Sequence, residues 1–92
     1  MKQTTSKILN RLYSVWPGSY RLDVAKLAED ADVVHLHGDY VLVIDEDAAL
    51  PTVSLDERMV VGGNVTIADW VIDDDVVLDE IAAAVVDLKN DN

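Results

Sequence analysis

His35 and His37 stand two positions apart in VVHLHGDYVLVID, residues 33–45. On an extended strand this spacing sends both imidazoles to one face, the proximity that a two-histidine metal pair requires. A protein metal site usually needs a third convergent ligand. Asp39 falls in the intervening turn and Asp45 beyond the far end of the partner strand, so neither is well placed to supply it. The expectation is edge histidines, with His35 and His37 as weak metal candidates and no cofactor.

Two acidic runs, Asp45-Glu46-Asp47 and Asp73-Asp74-Asp75, have the composition of calcium ligands. A calcium-binding helix–loop–helix places acidic or amide groups at alternate positions, then a glycine, then a distal glutamate; neither run has that glycine. Loop solvation explains the first run and helix capping the second. The chain has no cysteine and no serine in a G-x-S-x-G setting. Gly62-Gly63-Asn64 opens toward a strand, whereas phosphate is cradled by a loop that opens a helix. No catalytic constellation emerges, and the expectation is a non-enzymatic protein.

Ninety-two residues make one domain, 1–92, with a modest core. Half of them are hydrophobic, with fifteen valines and no phenylalanine, a β-branched excess that favours sheet. The formal net charge is −11, unevenly spread. Residues 1–30 carry five basic and three acidic side chains, a balance of +2; residues 31–92 carry two and fifteen, a balance of −13. Direct binding to nucleic acid or an anionic membrane is disfavoured by like charge. No run has the length of a membrane span and the first residues lack the apolar region of a signal peptide, so a cytoplasmic location is expected.

Ile8, Leu9, Leu12, Val15 and Trp16 recur at helical spacing behind Thr4, Thr5 and Ser6 as N-caps, and Pro17-Gly18 stops the helix. Lys7 and Arg11 share its other side, a weak basic footprint that reads as a solvated face. The segment 19–31 is ambiguous, with a short helix over 24–30 preferred. A helix-turn-helix unit is excluded there, because no Lys or Arg occurs between Glu29 and Glu57 to furnish a recognition helix.

Gly38-Asp39 predicts a two-residue hairpin loop pairing His37 with Tyr40, Leu36 with Val41 and Val34 with Val43. That register puts Val34, Leu36, Val41 and Val43 on the core face. A short strand with Val53 and Leu55 on one face turns at Asp56 and Glu57. A second hairpin with Gly62-Gly63-Asn64 as its loop pairs Val61 with Val65 and Met59 with Ile67. The last helix is the clearest element, with Val77, Leu78, Ile81, Ala84, Val85 and Leu88 on one stripe. The expected fold is α+β: an antiparallel sheet of four or five strands, including two hairpins, packed with N-terminal and C-terminal amphipathic helices. Trp16 and Trp70 anchor the core.

The preferred function is a non-enzymatic module that binds a basic protein partner through an acidic surface: Asp39, Asp45, Glu46, Asp47, Asp56, Glu57, Asp73, Asp74 and Asp75. A more specific version is a phage- or prophage-type DNA mimic that inhibits a nucleic-acid-binding enzyme. A third reading is a homodimer or small assembly component that uses the partly apolar second hairpin face, with Val33, His35, His37, Tyr40, Leu42 and Ile44, or exposed valines such as Val60 and Val86.

Overall fold

A computed structural model describes residues 3–46 and 49–90. Helix α1 spans Gln3–Val15 and a 3₁₀ turn spans Ser19–Arg21; strands β1 Asp23–Ala28, β2 Ala31–His35, β3 Tyr40–Asp45, β4 Thr52–Arg58 and β5 Asn64–Val71 follow, and helix α2 is Asp75–Asn90. The strands form one antiparallel sheet in sequence order, β1-β2-β3-β4-β5. This is the expected α+β arrangement, with five strands.

The two helices cover one face of the sheet. Ile8, Leu9 and Leu12 of α1 and Leu78, Ile81, Ala82 and Val85 of α2 meet Val34 and Leu36, Leu42 and Ile44 of β3, and Val53 and Leu55 of β4. Full burial of such a side chain contributes about 1.5–3 kcal/mol relative to exposure. Trp16 and Trp70 are half-buried and pack against this cluster, so the tryptophans do support the core. Val15 does not: it is exposed at the end of α1.

α1 begins earlier than its expected caps. Thr4 and Thr5 lie inside the helix and are buried. The Glu46 side chain accepts from the Thr4 amide, and the Thr5 hydroxyl donates to Asp32 Oδ2 of β2 at 2.7 Å. Remote carboxylates thus serve the α1 N-terminus, where sequence-local hydroxyls were expected. α2 is capped as its aspartates suggest, since Asp74 Oδ1 accepts from the Val76 amide at 3.1 Å.

Four expectations about the strands are corrected. Residues 23–28 form a strand, not a helix over 24–30. Pairing along β2 satisfies their backbone, and Val24 packs on the core, so tertiary pairing overrides a weak helical tendency. In the first hairpin the Leu36 amide donates to Tyr40 O at 2.9 Å, and His35 pairs with Val41, Val34 with Leu42 and Val33 with Val43. The loop is therefore three residues, His37-Gly38-Asp39, with Gly38 at φ +63°. This one-residue slip inverts β3: Leu42 and Ile44 face the core, while Val41 and Val43 face away.

β4 continues through Asp56 and Glu57 to Arg58, so the chain does not turn at those acids. The second loop sits two residues earlier than expected. Arg58 pairs with Asn64 and Glu57 with Val65, and the Met59 amide bonds Gly63 O at 2.9 Å. Val60 and Val61 consequently form the hairpin tip, 101% and 87% exposed.

Candidate functional site

The meander sorts the acidic residues. The β1–β2 turn, the β3–β4 connection and the β5–α2 junction all lie at one end of the sheet, tied together by Glu46 N–H to Asp30 O and Ile72 N–H to Pro51 O, both 2.8 Å. Glu29, Asp30, Asp45, Glu46, Asp73, Asp74 and Asp75 gather there. Asp47 lies outside the described residues. Asp39 and Glu57 are at the opposite end, beside the β2–β3 and β4–β5 loops. Of the eight described residues expected to make one acidic surface, five lie at one end, Asp39 and Glu57 at the other, and Asp56 on the sheet between them.

Helix direction accounts for part of this pattern. α1 and α2 run in the same direction: Arg11 Nε of α1 lies 3.0 Å from Asp79 Oδ1 in the first half of α2, and near the C-terminal ends Lys89 Nζ lies 5.6 Å from the Trp16 ring. Both N-termini therefore meet the acidic end, where their dipoles favour negative charge. Arg21 and Lys89 fall at the C-terminal end, where dipoles favour positive charge. Yet each helix N-terminus amounts to only about half a positive charge, so two of them offset roughly one of seven carboxylates. The remainder is a negative field at one pole of the molecule.

Asp56 differs from the other acids. It sits on β4 opposite Val41, on the sheet face turned away from the helices, and is 8% exposed. Its Oδ1 accepts no hydrogen bond from any described residue. Glu57, its neighbour, faces the helix side opposite Tyr40. Its charge, followed by burial, its hydrogen bond and the charge of Asp39, raises the Tyr40 hydroxyl above its usual pKa of 10.0.

The two histidines are not brought together. His35 is on β2, on the face away from the helices, while His37 has left the strand; its ring lies 6.0 Å edge-on from Trp16 and 6.0 Å from Tyr40. The early end of β2 breaks the alternation on which a shared face depends. Among the described residues no three His, Cys, Asp or Glu side chains converge as a metal site, and no helix is long and apolar enough to cross a membrane.

Sequence reasoning expected one hairpin face to be only partly covered, but its register assigned that face Leu42 and Ile44 in place of Val41 and Val43. Val43, Asp45, Thr52, Ser54, Asp69 and Val71 border one depression there, and Val33, His35, Val41 and Arg58 border another. An alternation of Val41 and Val43 against Leu42 and Ile44, all apolar, leaves no polar signal that β3 has an outward side. No protein-family model, curated protein or solved structure matches the chain.

Proposed function

We propose that this chain is a non-enzymatic protein-binding module whose acidic pole attracts a basic partner. The observation that supports this reading is the surplus of carboxylates at the end where both helices start, beyond what two helix dipoles require. Such a field accelerates encounter with a positive surface and selects against acidic ones. Asp73 and Asp75 are the residues to test, because Glu46 and Asp74 are engaged at the helix N-termini.

The test is retention of basic proteins from host extract on the immobilised chain, compared with an Asp73→Asn, Asp75→Asn variant. Loss of a salt-released partner from the variant, with unchanged thermal unfolding, is the expected result. Equal retention by both forms would remove the acidic pole from the interface. Displacement of the same partner by double-stranded DNA is what the DNA-mimic version of the reading requires.

Self-association is a second reading, favoured by a different observation. Residues 59–68 contain no charged side chain in a chain that is 27% charged, and Met59, Val60, Val61, Val65 and Ile67 are all exposed. β5 has no outer neighbour among the described strands, and an apolar edge is a surface through which two acidic copies can pair.

A further inference from the structure

Residues 59–68, MVVGGNVTIA, are the longest run without Asp, Glu, Lys or Arg in a chain of net charge −11. The fold gathers this run at one place, the β4–β5 tip and the first half of β5, the edge strand beside β4. Met59, Val60, Val61, Val65 and Ile67 are all exposed there, and the tip lies at the end of the sheet opposite the acidic pole. The other sheet edge differs: β1 carries Asp23 and Lys26 and runs into Glu29 and Asp30.

An absence of charge matters most for one kind of partner. About a two-fold axis each residue meets its own copy, so an ionised side chain near the axis faces a like charge. A basic partner gains from carboxylates and has no need of a surface without them. A second copy, itself at −11, needs such a surface. Strand direction points the same way. β5 runs from the tip toward the acidic pole, so two β5 edges laid antiparallel send their poles to opposite ends. With the axis near Asn64 the two Val71 positions are about 45 Å apart, at the usual rise per residue of an extended strand. That is several times the screening length of about 8 Å at physiological salt.

We propose that two copies of this chain associate through the first half of β5, antiparallel about an axis near Asn64, with Val60 and Val61 of each tip packed beside Ile67 of the other. The proposal rests on the self-association reading and supplies its geometry. Side chains carry most of the contact, because the register shift between Leu55 and Asp56 leaves Ile67 as a bulge and keeps any edge ladder short. The two-fold closes the assembly, since the edges that remain are the charged β1 strands. The dimer carries one acidic pole at each end and so offers two sites to a basic partner.

The chain has no cysteine, so a single introduced thiol reports which positions meet their own copy. The test oxidises Asn64→Cys and, separately, two variants at exposed positions elsewhere, Leu27→Cys on the β1 edge and Leu50→Cys at the acidic end. Sedimentation of the wild type and of Ile67→Lys across concentration accompanies it. The expected result is a reversible wild-type dimer that Ile67→Lys abolishes with folding retained. Asn64→Cys should form the linked dimer roughly tenfold or more faster than the other two, because facing antiparallel residues lie within disulfide reach. A wild type still monomeric at millimolar concentration overturns the proposal and the self-association reading together, and leaves the tip to a foreign, uncharged surface. A dimer that survives Ile67→Lys, or that links fastest through Leu27→Cys or Leu50→Cys, overturns this geometry and leaves self-association standing.

Discussion

The Thr5 hydroxyl donates to Asp32 Oδ2 at 2.7 Å in the interior, joining α1 to β2 across 27 positions of sequence. Both residues are buried, and a buried hydrogen bond to a charged group is worth more than a neutral one because the alternative is a desolvated carboxylate. Asp32→Ala is expected to lower unfolding free energy by about 2–3 kcal/mol, and Asp32→Asn, which keeps an acceptor, by less. Urea denaturation of the two variants checks the order.

The register of β3 has an energetic signature. Leu42 is fully buried against the helices, whereas Val43 lies on the uncovered face. Leu42→Ala is expected to cost about 2–5 kcal/mol, and Val43→Ala under about 1 kcal/mol because little core packing is lost. Equal losses, or a larger loss at position 43, would contradict the observed hairpin.

The β4–β5 tip separates stability from association. Val60→Lys and Val61→Lys remove exposed apolar surface and should change stability by no more than about 0.5 kcal/mol. Sedimentation measured across concentration then reports whether the tip holds two copies together: a mass that falls to the monomer in the double variant supports self-association, and a wild-type chain already monomeric at high concentration ends that reading. Gly63→Ala is a control for the loop, since its φ of +81° makes a side chain unfavourable by about 1 kcal/mol.

Tyr40 gives a pH dependence of defined sign. The Glu57 charge, burial, the Glu57 hydrogen bond and the Asp39 charge all raise its folded pKa above 10.0, so the folded chain holds the phenolic proton more tightly than the unfolded chain. This contribution is fully present below pH 10.0 and is lost as pH climbs through the folded value. Ultraviolet titration should show one tyrosine ionising late, and Glu57→Gln should bring that transition back toward the ordinary value. An unshifted transition in the wild type would show that Glu57 does not act on Tyr40.

What was legible in the sequence follows from how much pattern each element carries. α2 has a 3.6-residue apolar stripe and an aspartate at its start, two signals that agree. β1 has neither: Tyr20, Leu22 and Val24 alternate like a strand, Asp23 could cap a helix using Ala25, Leu27 and Ala28, and only pairing with β2 decides. The first hairpin misleads because Gly38-Asp39 resembles a two-residue loop, while Val41 to Ile44 are apolar on both faces and set no register. Each acidic run was visible in the sequence; their convergence was not, because it depends on strand direction. Nothing local marks Asp56 as buried, since its neighbour across the sheet, Val41, is set by strand pairing and not by adjacent sequence.

The strict sequence order of the five strands also bears on how the chain assembles. Each strand finds its neighbour immediately beside it in the chain, so loop-closure costs within the sheet are small and pairing proceeds stepwise. α1 packs against α2 from the far side of the sheet sequence, and that closure spans nearly the whole chain. Ile8 and Leu12 share one buried cluster with Leu78, Ile81 and Val85, so the packing of the first helix depends on residues at the other end of the chain.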